Sequence, residues 1–171
     1  MALDYYIFSL MNQYAGQYSI LDSVLFFFSE YLIILLLLFF LIEFRNVKAV
    51  LTAVASVMAG LAVNILISMA YFRPRPFVEH KVNLLVSYAP TSSFPSDHAT
   101  VSFALATAVF LHNRALGVIA YGIAIAVSVS RIFAGLHYPL DILGGAVLGS
   151  GLSLLAYLVI KRFGARIGVD Q

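Results

Sequence analysis

Four long apolar runs restrict this chain to folds built in a membrane. Val24 to Ile42, Ala49 to Tyr71, Leu116 to Phe133 and Leu140 to Ile160 are each close to the ~20 residues with which a helix crosses a bilayer. Hydrocarbon offers backbone groups no water, and a helix satisfies them internally. Ser96 to Leu111 is shorter, and reads as a fifth span if its polar start lines a site instead of facing lipid. Before these runs, Leu3, Tyr6, Ile7, Leu10, Met11 and Tyr14 follow helical spacing with Asp4, Ser9, Asn12 and Gln13 between them. That pattern predicts an amphipathic helix at the membrane surface, and Asp22 is the expected N-cap of the first span. The expected architecture is an all-α, polytopic membrane helix bundle of about five transmembrane helices plus an N-terminal interfacial helix.

Composition agrees. A chain of 171 residues that is 62% hydrophobic and 11% charged is too apolar for a water-soluble domain. No linker or internal repeat divides it, so one domain is expected over residues 1–171. The absence of cysteine excludes disulfides, thiolate catalysis and cysteine-ligated metals. A net charge of +2 without any block of basic residues argues against a nucleic-acid partner. The N-terminus does not read as an export signal, because Asp4 stands where such signals carry positive charge.

Polar residues concentrate in short islands at the ends of the runs: Arg73-Pro74-Arg75-Pro76-Phe77, Pro95-Ser96-Asp97-His98, and Ser130-Arg131 followed by His137 and Asp141. Arg45, Lys48, Arg114, Lys161, Arg162 and Arg166 collect on the other side. The positive-inside rule then places the C-terminus in the cytoplasm and the islands at the outer face. Gly144, Gly145, Gly149 and Gly151 in the last run read as packing surfaces that let helices approach closely.

The islands hold the residue types that phosphate ester hydrolysis needs. His137 and Asp141 are four apart, the interval that puts side chains on one face of a helix start. A carboxylate there can accept a proton from one imidazole nitrogen and leave the other's lone pair for attack. Proline-led Ser96-Asp97-His98 opens a helix whose first amides favour an anion. Ser96 can add a hydroxyl there, although a plain N-cap role fits it and Asp97 equally well. Arginine forks match phosphate oxygens. Prolines on both sides of Arg75 hold that segment stiff, which sets it apart from a side chain that merely snorkels. Glu30 lies about seven residues inside the first run, roughly 10 Å deep. It can bind a diphosphate through water, pair with an arginine, or join two helices. Asn64 is read as an interhelical hydrogen-bonding residue.

Ser130-Arg131, His137 and Asp141, at these spacings, match in full the third signature of the type 2 phosphatidic acid phosphatase (PAP2) superfamily. Pro95-Ser96-Asp97-His98 resembles its second signature, with aspartate where glycine is usual, and Arg75-Pro76 resembles the end of its first. The Arg-Pro-Phe and Ser-Phe-Pro-Ser-Asp-His forms and the short length look most like the bacitracin-resistance type of bacterial undecaprenyl-diphosphate phosphatase. In one departure, Ser68 stands where the first signature usually has lysine, and Arg73 or Lys81 can take that role.

The resemblance implies a metal-independent enzyme without a cofactor. His137 would attack phosphorus to give a phosphohistidine, Asp141 would fix its tautomer, and His98 would serve as acid and then base. Arg75, Arg131, Ser96 and the amides near Asp97 would bind the phosphoryl oxygens. Arg73, Lys81 and Glu30 are possible further substrate contacts. The implied reaction converts undecaprenyl diphosphate to undecaprenyl phosphate and phosphate at the outer face of a bacterial cytoplasmic membrane, recycling the lipid carrier of wall polymers. The alternatives are a phosphatase for phosphatidylglycerol phosphate, phosphatidate or lipid A, and, in another class, a small anion transporter.

Overall fold

A computed structural model describes residues 2–42 and 46–163. Regular structure among them is entirely helical: α1 Ala2–Asn12, α2 Ser19–Glu30, α3 Leu32–Ile42, α4 Val47–Ala70, α5 Pro76–Glu79, α6 Asp97–His112, α7 Arg114–Phe133 and α8 Pro139–Phe163. Local chemistry sets several boundaries. Asn46, Ser96 and Asn113 cap α4, α6 and α7 by accepting the amides of Ala49, Ala99 and Leu116. Asn113 also ends α6 through its own amide to Val109, so two helices meet at one residue.

The centre of the bundle is α6, packed against α3, α4, α7 and α8. Its residues from Ala104 to Val109 are buried, and small side chains keep it thin. Gly145 and Gly149 on α8 face it so closely that an added Cβ would lie 2.7 Å from the Ser96 carbonyl oxygen and 2.2 Å from that of Thr100. These glycines therefore serve packing, as their spacing suggests.

Three helices, α4, α7 and α8, are long and apolar enough to cross a membrane, and α2 with α3 makes a fourth span if that bent pair is counted as one. The fifth expected span is α6. At 16 residues it is shorter than a full crossing, and its neighbours shield its polar start.

Two expectations need correction. The run from Val24 to Ile42 does not form one helix, because α2 and α3 meet at Tyr31 with a bend of 46°. The break lies beside an arginine. The Ser29 carbonyl, one of the last in α2, accepts Nη1 of Arg131 at 3.3 Å, which satisfies a group that a helix end leaves unpaired. Asp22 is not the N-cap either. The helix begins earlier, with Tyr18 at the cap position, and Asp22 accepts the Gly16 amide at 3.0 Å.

Helix α1 is amphipathic, but its polar residues do not all face water. Leu3, Tyr6, Ile7, Leu10 and Tyr14 are exposed, whereas Asp4, Phe8 and Asn12, four residues apart, are buried against the bundle. Asn12 donates to the carbonyls of Asn83 at 2.7 Å and Phe133 at 2.8 Å. Phe8 packs with Ala99, Ile132, Tyr138 and Ile142.

The basic residues Lys48 and Lys161 line one cavity with His112, and Arg114 begins α7 at the same end of the bundle. The islands lie at the opposite helix ends. Arg45 and Arg166, counted with the basic side, fall outside the described residues.

Candidate active site

Four helix termini and one loop bring the islands together. Arg131 closes α7, and a turn through Gly135, whose φ of 85° favours glycine, leads to His137. Asp141 sits in the first turn of α8, Arg75 is the N-cap of α5, and His98 lies in the first turn of α6. Arg75, Arg131, His137 and Asp141 are all at most 4% exposed, in a chain where such burial needs partners or a ligand.

The partners of His137 define its tautomer. Nδ1 lies 3.0 Å from the Ser93 carbonyl oxygen and 3.6 Å from Oδ2 of Asp141. Both are acceptors, so Nδ1 carries the proton. Nε2 lies 3.2 Å from Nη1 of Arg75, which can only donate, so Nε2 presents its lone pair. Burial pushes the imidazole down to about 4, with the charges of Arg75 and Arg131 acting in the same direction and Asp141 opposing them. The ring is neutral at physiological pH, as a nitrogen nucleophile must be.

Asp141 is held on both oxygens. Oδ2 accepts the Tyr138 amide at 2.8 Å and the hydroxyl of Ser93, while Oδ1 accepts Nη1 of Arg73 at 2.6 Å. Its role is shared: the Ser93 carbonyl is the nearer acceptor for His137, and Asp141 braces the loop that carries that carbonyl.

Arg75 donates to the carbonyls of Leu136 and Ser92 and to Thr91. Arg131 donates from Nη1 to Ser29 and, at 2.7 Å, to Glu30. Among the described residues, Nε of Arg75 and both Nε and Nη2 of Arg131 are buried without an acceptor. Unpaired buried guanidinium donors are costly, and an oxyanion is the group that would satisfy them. The ring of Tyr88 lies 4.4 Å from the Arg75 guanidinium and 5.2 Å from that of Arg131. His98 is half-buried and within electrostatic reach of Arg131, His137 and Arg75.

The remaining expected residues fall as follows. Ser96 is fully buried and caps α6, its amide donating to the Asp141 carbonyl at 3.1 Å. The carboxylate of Asp97 accepts Asn64 of α4 at 2.6 Å, so Asn64 joins two helices as its type suggests. Glu30 of α2 pairs with Arg131 of α7 at 2.7 Å, which forms the arginine pairing and joins two helices at once. Arg73 has both terminal nitrogens on protein carboxylates, Asp141 and Asp4. Lys81 is exposed on the connection between α5 and α6. A cavity of about 490 Å³ reaches the site past Arg75, Tyr88, Thr91, Ser92 and Asp97, and Ser68 opens onto it.

Ser93, Tyr88, Ser29 and Asp4 carry contacts that motif reading did not assign. Ser93 begins the Ser-Phe-Pro-Ser-Asp-His form and was visible there. The other three had no local signal: Ser29 and Asp4 meet arginines 102 and 69 positions away, and Tyr88 faces Arg131 of α7 as well as Arg75.

Known proteins resemble this chain in sequence and fold. The sequence matches the PAP2 superfamily over residues 48–165. It is 37% identical to the undecaprenyl-diphosphatase BcrC of Bacillus subtilis (strain 168), over 91% of this chain and 83% of that protein. It is 33% identical to a protein of Bacillus licheniformis named bacitracin transport permease protein BcrC, over 83% of this chain and 73% of that one. The crystal structure of Aquifex aeolicus LpxE superposes with a TM-score of 0.77 at 26% identity, covering 91% of this chain and 95% of that one. With the matched segment holding every signature residue of the site, this chain belongs to the PAP2 superfamily.

Proposed function

We propose that this protein hydrolyses undecaprenyl diphosphate to undecaprenyl phosphate and inorganic phosphate, through a phosphohistidine on His137. One observation carries the chemistry: a neutral imidazole with its Nε2 lone pair beside Arg75, next to guanidinium donors that lack acceptors. The similarity to an undecaprenyl-diphosphatase over 91% of the chain supports the substrate.

In this reading Nε2 attacks the terminal phosphorus, a P–N bond forms, and the bond to the bridging oxygen breaks. The unpaired donors of Arg75 and Arg131 stabilise the equatorial oxygens, where charge must be met. The amides opening α6 and the hydroxyl of Ser96 would complete that cradle. The proton stays on Nδ1, which donates to the Ser93 carbonyl and so keeps the ring in the attacking tautomer. His98 protonates the departing oxygen, then takes a proton from the water that cleaves the P–N bond. Phosphate leaves and His137 returns to its starting state. The positive-inside pattern supports a site at the extracytoplasmic face of a bacterial cytoplasmic membrane.

The test is phosphate release by purified protein in detergent from undecaprenyl diphosphate, phosphatidylglycerol phosphate, phosphatidate and lipid A. Preference for undecaprenyl diphosphate is expected. Preference for another lipid would move the substrate while leaving the chemistry. The name of one relative, a bacitracin transport permease protein, supports a second reading, transport across the membrane. Turnover in detergent, where no gradient exists, would exclude transport as the main activity.

A further inference from the structure

Arg73 was expected among the possible substrate contacts, yet its guanidinium faces protein on both sides. Nη1 meets Oδ1 of Asp141 at 2.6 Å and Nη2 meets Oδ2 of Asp4 at 2.5 Å. The same Asp4 accepts, through Oδ1, the amide of Leu140 at 2.9 Å. The Arg73 guanidinium also lies 4.4 Å from the Tyr138 ring centroid. Asp4 is 4% exposed and Asp141 fully buried. A carboxylate from α1 thus holds both the first turn of α8 and the arginine that grips the carboxylate beside His137.

We propose that Asp4 and Arg73 are positioning residues of the phosphatase reaction, and that α1 is a working part of the active site through the chain Asp4, Arg73, Asp141. This rests on the reading of His137 as nucleophile and Asp141 as its support. The physical argument is one of saturation. A guanidinium that binds substrate must keep donors free: Nε of Arg75 and both Nε and Nη2 of Arg131 have no acceptor, whereas the two terminal nitrogens of Arg73 are each committed to a buried carboxylate. Asp141 has one oxygen on the loop that orients His137 and the other on Arg73. Loss of Arg73 would let that carboxylate turn, and loss of Asp4 would let Arg73 turn. The effect on substrate binding is small, and the effect on the chemical step is large.

A double-mutant cycle in kcat tests this, using whichever lipid phosphate the wild-type protein hydrolyses best. Asp4→Asn keeps an oxygen that can accept the Leu140 amide but removes the charge that faces Arg73. It should lower kcat about tenfold with KM within about twofold. Arg73→Gln should lower kcat about a hundredfold, and the double variant should be no slower than Arg73→Gln, because both changes break one chain. If Arg73→Gln does not purify as a monodisperse protein, Arg73→Lys, whose single ammonium cannot fork between two carboxylates, replaces it in the cycle. A raised KM at unchanged kcat for the Arg73 variant would make it a substrate contact and overturn the proposal. So would wild-type kcat in Asp4→Asn, or losses that multiply. Because the cycle is a ratio within one substrate, a wrong choice of lipid leaves it intact. A His137→Ala variant with normal turnover would instead remove the nucleophile on which it rests.

Discussion

Arg73 and Arg75 are two residues apart and point into different kinds of surroundings. Arg73 sits between Asp4 and Asp141. Burial alone would lower its pKa, but hydrogen bonds and charge from those carboxylates outweigh that and raise it. Arg75, nearly as close in sequence to the same island, meets carbonyls and a hydroxyl but no carboxylate. Burial pushes its pKa down, and Arg131 adds to the effect. An arginine with its counter-charge already in place holds protein. One with donors but no counter-charge is prepared for an anion, and Arg131, whose Nη1 is paired and whose Nε and Nη2 are not, combines both.

The comparison can be broken at its centre. His137→Ala should reduce turnover by at least about 10³-fold and abolish trapping of labelled phosphate on the protein, since no other group replaces a covalent nucleophile. Substitution of the two arginines that keep unpaired buried donors comes next. Arg75→Gln and Arg131→Gln should each lower kcat/KM by about 10²- to 10³-fold, with KM rising. That last change separates them from the Arg73 variants, for which KM stays.

His98→Gln sharpens the contrast by substrate. A lipid alkoxide leaving from a monophosphate needs a proton more than a lipid monophosphate leaving from a diphosphate. The loss should therefore be about tenfold larger for monophosphates if general acid catalysis contributes its usual range, measured as kcat on matched lipids. Equal losses would remove His98 as the acid. Tyr88→Ala should change KM by only a few-fold, because the ring lies 4.4 and 5.2 Å from the two guanidiniums and supports them only weakly. An unchanged KM would show that the ring leaves the anion path untouched.

The smallest change is expected from acid. The folded protein lowers the proton affinity of His137 to about 4. Its neutral form persists as pH falls below the ordinary histidine range near 6.5 and is lost only as pH passes through about 4. Single-turnover phosphoenzyme formation should hold between pH 7 and pH 5. An acidic limb near 6.5 would place His137 in a wetter site than the one described.

Much of this was legible from residue order. Apolar length gave α4, α7 and α8 nearly at their observed limits, because a bilayer fixes how long a helix must be. The spacing of Ser130-Arg131, His137 and Asp141 marked residues that the fold brings together, with His137 in the turn before α8 lying 3.6 Å from Asp141 in its first turn. The run from Val24 to Ile42 misled for the same reason that it was informative. Hydropathy measures length and cannot register a break at Tyr31, beside a helix carbonyl that a distant arginine takes.

What the sequence determined alone was a membrane bundle and the kinds of groups in its site, because apolar period, proline and motif spacing act within one segment. Only the tertiary structure decided which arginine is saturated and which is free, because Asp4 reaches Arg73 and Glu30 reaches Arg131 across contacts of 69 and 101 positions. Charge pairing between distant segments leaves no period in the chain. It is settled only when helices pack closely enough to exclude water from between them.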